Sequence, residues 1–418
     1  MVIRLLCAEG LLRDSLEQLD ADASGKPADG VSGRGTEAKE SNSLLPYIVS
    51  ESGIQLERAT NGRAGREEKR LSHPDWRWNR RELVKAGAFG TAGMVLAKSA
   101  LGAACIDKAT DEPNAAGEPT GAIPQKIGPI LDAHIHLFDT ERPGGVPWPH
   151  ADDKALYMPA MPPRYEEISA KHGIVGAIAV EASNLESDND WLLRVVESSP
   201  VMVGVVGNLY PTAPGYSQDF ERLRKNPLFL GFRTGNLWKR DLLADVKKPG
   251  FMEGLRLVSD AGLVLETANP DAKLISAVRL ISVRNPELRI VIDHLPHATL
   301  PEAKPDLDAY WVDLHELAQR PEIYVKLSEI PRQEDEKLIT DMGAYRAGLD
   351  KLWDMFGEDR VIFGSDWPNS DHVASFDETF SIVRQYMACK SPEAQAKYFF
   401  HNSQAAYKWK ARRENQKG

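Results

Sequence analysis

The chain has 418 residues, of which 42% are hydrophobic, enough for one α/β barrel of roughly 250 residues plus extensions. Its 51 Lys and Arg against 61 Asp and Glu give a formal net charge of -10, which argues against nucleic acid, whose binders concentrate basic residues to neutralise phosphates, and favours a small-molecule substrate. No apolar run approaches the ~20 residues of a membrane span, and Cys7, Cys105 and Cys389 stand far apart, without disulfide, metal or redox spacing.

Residues 1–75 are rich in Gly, Ser, Glu, Asp and Arg and read as a disordered or mis-assigned extension. Over 76–105 the character changes. Arg80 and Arg81 precede a small, apolar stretch at 86–104 broken only by Lys98, which resembles a twin-arginine export signal. Its distance from Met1 leaves open a translation start further downstream, or an amphipathic helix ahead of the domain. Cys105, after Leu101-Gly102-Ala103-Ala104, weakly resembles a lipoprotein attachment site. The expectation is an exported, periplasmic or extracytoplasmic protein, with Cys105 as the place for a lipid anchor and no spanning segment in the mature chain. Residues 106–126, polar with several Pro and Gly, read as a linker.

From 127 to 410 short aliphatic runs alternate with longer amphipathic ones, the pattern of repeated βα units. Strands are expected at 130–133, 176–180, 201–206, 229–232, 263–265, 289–292, 323–327 and 361–363. Helices are expected at 164–171, 191–197, 251–260, 272–284, 310–318 and 345–356. Eight strands in a stretch of this length fit an α/β fold of the closed (β/α)8 barrel type better than an open sheet.

In such barrels the reacting groups sit at the C-terminal strand ends. The first strand ends in His134-Ile135-His136, and alternation along an extended chain points both imidazoles to one face. Two converging imidazoles can share a divalent cation, although His-x-His by itself also suits two unrelated polar residues at a strand exit. The sixth strand ends in Asp293-His294 and the eighth in Gly364-Ser365-Asp366-Trp367-Pro368. Asp366 suits a cation ligand or the base that deprotonates water, and alternatively a helix N-cap; His294 alone would suit a hydrogen-bonded structural role. Glu181, Glu266, Lys326 and Ser328 end the second, fifth and seventh strands and are candidates to line the pocket, in balance with local structural roles. Trp148 and Trp367 are candidates for an apolar wall against a ring, with core packing the equal alternative for Trp367.

The run from Ile130 through His136 to Asp139, then Pro147-Trp148, Gly231-Phe232-Arg233, Val291 to His294 and Val361 to Pro368, resembles the amidohydrolase-related family, and within it the branch of fuconolactonase, rhamnonolactonase and pyrone-dicarboxylate lactonase. The resemblance covers about 127–407. It implies a metal-dependent hydrolase barrel in which His134, His136 and Asp366 are metal ligands, His294 is the sixth-strand histidine, Asp366 is the general base, and Arg233 holds a substrate oxygen. Two-metal members carry a Lys or Glu after the fourth strand and a His after the fifth, where this chain has Arg233 and Glu266. The implied cofactor is therefore one divalent cation, zinc first, or none. Leu295-Pro296-His297-Ala298 replaces the usual Gly-Lys-Pro and bears on which substrate is taken.

The expected activity is opening of a cyclic ester, a sugar lactone or a related lactone, by Asp-activated water at the barrel mouth. Alternatives are a metal-dependent decarboxylase of an unsaturated or aromatic acid on the same scaffold, an amide hydrolase, or a non-catalytic exported sugar-binding barrel. The expected partner is a small molecule, with a homo-oligomer left open.

Overall fold

The computed structural model describes residues 128–418. The extension, the twin-arginine segment, the linker and Cys105 lie outside the described residues.

In chain order the elements are β1 (Ile130–His136), α1 (Pro162–Ser169), β2 (Ile174–Val180), α2 (Ser187–Ser198), β3 (Met202–Asn208), α3 (Tyr216–Leu223) and β4 (Phe229–Gly235). A short α4 (Leu242–Asp245) precedes α5 (Phe251–Asp260), followed by β5 (Val264–Ala268), α6 (Ala272–Arg284), β6 (Arg289–Ile292), α7 (Lys304–Ala318) and β7 (Ile323–Lys326). A hairpin of β8 (Gln333–Glu334) and β9 (Lys337–Leu338) then interrupts the alternation. It is followed by α8 (Gly343–Phe356), β10 (Val361–Ile362), α9 (Phe376–Met387), α10 (Pro392–Ala396) and α11 (Asn402–Tyr407).

β1 to β7 and β10 form one parallel sheet in that order. The sheet closes where Ala133 N–H donates to Phe363 O at 3.1 Å, Asp366 N–H to His134 O at 2.9 Å and His136 N–H to Trp367 O at 2.7 Å. Eight parallel strands alternating with helices and joined edge to edge make a (β/α)8 barrel, as the sequence pattern implies. No helix among the described residues is long and apolar enough to cross a membrane.

All eight expected strands are present. β1 runs three residues beyond the expected 130–133, through both histidines. α7 begins at Lys304, ahead of the expected 310, with Pro305 in its first turn, where a missing N–H has no intrahelical partner to lose. α9 was not among the expected helices, though Ser375 and Glu378 close a reciprocal capping box at its start.

Two apolar layers share the strands. One lies between strands and helices, for example Ile135, Phe232, Leu265 and Phe363. The other fills the barrel interior with Leu131, Ala133, Val264, Val291 and Ile362, and is plugged by Phe400, Tyr407 and Trp409. That C-terminal plug enters from the N-terminal strand ends: Arg289, which opens β6, donates to Ala406 O at 2.7 Å, and Gln416 donates to Val175 O and Pro200 O, both at 2.9 Å. Fully burying a Leu, Ile or Phe side chain is worth about 1.5–3 kcal/mol. The plug thus seals the lower mouth, leaving the C-terminal strand ends as the chemically available face.

Candidate active site

Period-two alternation explains most of what faces the barrel axis. One step above interior Val264 stands Glu266, above Val291 stands Asp293, and above Tyr324 stands Lys326. All three polar residues have 0% exposure. β1 departs from this rhythm. Leu131 and Ala133 belong to the interior layer while Ile135 belongs to the outer one, and the β1–β2 register shifts between Asp132 and Ile135. This irregularity turns His134 and His136 inward, where strict alternation from Leu131 would have sent them toward the helices; bulges re-aim side chains in just this manner. Asp132 stabilises it from outside: its Oδ1 accepts from His134 N at 3.2 Å and Ser365 N at 2.8 Å, and its Oδ2 from Tyr165 Oη at 2.9 Å. Gly364 completes the seam, because a Cβ there would lie 2.8 Å from His134 Cβ.

His294 and Asp366 both adopt left-handed backbone, with φ of 47° and 59°. Non-glycine residues at positive φ are uncommon, and such strain concentrates at functional positions. The twist lets Asp293 and His294, adjacent in sequence, both reach the site.

Four candidates meet at the mouth. Asp366 Oδ1 lies 3.2 Å from His136 Nε2, 3.4 Å from His134 Nε2 and 3.7 Å from His294 Nε2, and it is a buried oxygen without a hydrogen-bond partner. His136 Nδ1 is 3.1 Å from Val180 O and donates to that carbonyl, which turns Nε2 toward the cluster. His294 Nδ1 is 2.8 Å from Ser328 Oγ, which holds its Nε2 toward Asp366. Burial pushes the His294 and His134 pKa values down, Lys326 adding to the effect at His134, so both rings are neutral near pH 7. Lys326 Nζ, a donor only, lies 2.8 Å from His134 Nδ1. Neutral His134 therefore carries its proton on Nε2, facing the cluster.

A second carboxyl, that of Glu329, sits behind Asp366. Burial and the charge of Asp366 push Glu329 well above the ordinary range, so it keeps its proton. Burial would raise Asp366 too, but the neighbouring His294 and His136 and a hydrogen bond from Glu329 hold it well below. Asn369 Nδ2 bridges the two, donating to Asp366 Oδ2 at 2.7 Å and Glu329 Oε1 at 3.0 Å. Asp366 is consequently an anion whose free Oδ1 faces the site.

Arg233 spans the other wall. Its Nε donates to Glu181 Oε1 and its Nη2 to Glu181 O, both at 2.9 Å, while Nη1 lies 3.4 Å from His134 Nε2. Glu181 also accepts from Ser183 N at 3.0 Å and Trp238 Nε1 at 3.2 Å. Trp148 stands edge-on to His136, ring centroids 5.5 Å apart. An open cleft lies beside it, lined by Trp148, Glu181, Arg142 and Trp191. Trp367 is 1% exposed and packs against Tyr165 rather than into the mouth. Glu266 and Lys326 lie deeper, bonded to each other at 2.7 Å.

The donors His134, His294 and Asp366 lie within 4.8 Å of one another, with His136 Nε2 3.3 Å from His134 Nε2. This set fits a divalent cation: imidazole nitrogens and a carboxylate oxygen that no hydrogen bond occupies are the ligands such ions take. His134 is the member that would have to release or move a proton before ligating. Sequence reasoning missed Asp293, Glu329, Asn369, Trp238 and Tyr407. Asp293 was legible as a polar residue beside His294; the others come from loops or from the C-terminal plug, and nothing in their local sequence links them to the site.

The amidohydrolase family model matches residues 131–409. L-fucono-1,5-lactonases of Burkholderia ambifaria and Burkholderia multivorans are each 27% identical to this chain, over 283 and 277 residues, which cover 65% and 63% of it and 93% and 90% of their own lengths. Among solved structures, an amidohydrolase of Burkholderia multivorans with bound zinc is 24% identical with a TM-score of 0.59, covering 67% of this chain and 99% of its own. A probable 2-pyrone-4,6-dicarboxylic acid hydrolase of Acinetobacter baumannii, with citric acid bound, is 17% identical with a TM-score of 0.52 over the same shares. These structures share the fold. With the family match spanning the barrel from Leu131 to Trp409, the chain belongs to the amidohydrolase family.

Proposed function

We propose that this chain hydrolyses a cyclic ester, a sugar lactone or related lactone, at the mouth of the barrel. The observation that carries the reading is Asp366: an ionised, buried carboxylate whose Oδ1 has no hydrogen-bond partner and faces His134, His136 and His294. Such a group is a base in waiting, with its lone pair aimed where a water would sit. The fuconolactonase relatives support the choice of ester.

Asp366 takes a proton from water as the oxygen attacks the lactone carbonyl. Charge then develops on the carbonyl oxygen, and His134 Nε2–H and Arg233 Nη1, which lie 3.4 Å apart, supply donors toward it. Collapse breaks the ring C–O bond, and Asp366 returns its proton to the departing alkoxide, leaving the hydroxy acid. Trp148 offers an aromatic edge to the ring. One divalent cation, zinc first, would be held by His134, His136, His294 and Asp366; when bound, such an ion polarises the carbonyl and lowers the pKa of water.

The test follows proton release on a panel of sugar lactones, with and without chelator, beside Asp366→Asn. Loss of a positioned base costs about 10²–10⁴-fold, so turnover should fall by that factor in the Asn variant. An Asn variant within tenfold of the parent sinks the assignment of Asp366. No turnover on any lactone moves the weight to decarboxylation, read as carbon dioxide release. The chelator arm separates cation-assisted hydrolysis from hydrolysis by the side chains alone.

Export is proposed on Arg80-Arg81 and the apolar stretch behind them. Cell fractionation with Arg80→Lys/Arg81→Lys tests it: equal amounts outside the cytoplasm for both proteins would end the idea. An unmodified Cys105 thiol by mass spectrometry would end that of a lipid anchor.

A further inference from the structure

Below the mouth lies a second donor set, which shares His134 with the mouth and whose other members the proposed chemistry does not use. His134, Glu266 and Asp293 place ligand-type atoms within 4.8 Å of one another, all with 0% exposure. In their midst is the ammonium of Lys326, 2.7 Å from Glu266 Oε1, 2.8 Å from His134 Nδ1 and 3.0 Å from Asp293 Oδ1. These are hydrogen-bond lengths and exceed the ~2.0–2.2 Å of zinc–nitrogen and zinc–carboxylate bonds.

We propose that Lys326 is a resident cation that fills the inner donor set and closes it to metal ions, so that the chain takes no more than the ion held at the mouth.

Charge and topology support this. An ammonium buried away from water must be paired, and here it has two carboxylates, with the Tyr407 ring centroid 5.6 Å from Nζ. Tyr407 Oη also donates to Glu266 Oε1 from the C-terminal plug, so the far side of the set is covered by protein. Lys326 rises from β7 one alternation step above Tyr324, which delivers Nζ between Glu266 of β5 and Asp293 at the end of β6. The side chain cannot swing to solvent, because Lys326 is wholly enclosed. A divalent ion entering the set would meet a like charge at hydrogen-bond range, with little water to screen it. Removing the ammonium leaves imidazole and two carboxylates in a form suited to a divalent ion. The inference stands apart from the lactone reading, because metal content is measured without turnover.

The experiment compares the full chain with Lys326→Met, and with the smaller Lys326→Ala. Each is stripped with chelator, equilibrated with Zn²⁺, dialysed, and assayed for bound zinc by mass spectrometry. Lys326→Met or Lys326→Ala should hold one equivalent more than the parent, which should itself hold no more than one. Both variants lose the partner of two buried carboxylates and are expected to melt early in chelator. Added Zn²⁺ should then raise their melting temperatures well beyond any shift in the parent. The proposal is overturned if neither variant gains an equivalent or a zinc-dependent melting shift, or if the parent itself takes up two equivalents.

Discussion

Replacing Arg233 by Met keeps the length of the side chain and removes its charge. Arg233 is 6% exposed, and its guanidinium makes two 2.9 Å bonds to Glu181, itself 4% exposed. Breaking a buried ion pair by removing one partner costs about 3–5 kcal/mol, because the remaining charge is stranded. Glu181 would keep the Ser183 N–H at 3.0 Å and the Trp238 indole at 3.2 Å, and Asp293 would keep Lys326 at 3.0 Å. The loss should therefore lie near the lower end, about 3 kcal/mol. For a domain of this size 1 kcal/mol moves Tm by about 2–4 °C, so a fall of about 6–12 °C is expected. Adding Glu181→Gln removes the stranded charge, and the double variant should recover about 2 kcal/mol relative to additivity, within the range measured for contacting pairs. Thermal and urea melts of the four proteins complete the cycle. If Arg233→Met melts within about 2 °C of the parent, or the two losses simply add, then the Arg233–Glu181 pair is not the stabilising contact argued here.

Asp132 sets a pH dependence of stability. Burial pushes its carboxyl up to about 6, against 3.8 for the free group. The folded value lies above the unfolded one, so the fold binds the proton more tightly, and this stabilisation is lost as pH rises through about 4 to 6. Chemical denaturation should show Asp132→Asn gaining about 2 kcal/mol relative to the parent between pH 4.5 and 7; a pH-independent difference would contradict the direction of the shift. Trp148→Ala removes the edge beside His136, and should raise KM on a lactone by about tenfold, roughly 1.4 kcal/mol of apolar contact, with kcat less affected. A fall in kcat with KM unchanged would place Trp148 with the reacting groups instead of the wall.

Much of the barrel was legible because each strand is a short aliphatic run whose interior face must be apolar. His134, His136, His294 and Asp366 were legible because each follows such a run directly. The aim of β1 was not. Counting alternate residues puts His134 and His136 on one face, yet which face depends on the irregularity after Asp132, and that is held by Ser365 and Tyr165, far away in the chain. The left-handed turns at His294 and Asp366 likewise follow from what surrounds them.

The sequence by itself determined the alternation of strands and helices and the polar residues at the strand ends, since hydrophobic period and strand length are local properties. The tertiary structure alone decided the rest. It placed Lys326 among Glu266, Asp293 and His134, set Glu329 and Asn369 behind Asp366, and drove Tyr407 up into the barrel. Each of these brings a buried charge to a partner on another strand or loop, and burial makes that pairing obligatory; which strands become neighbours across the interior is fixed only when the sheet closes.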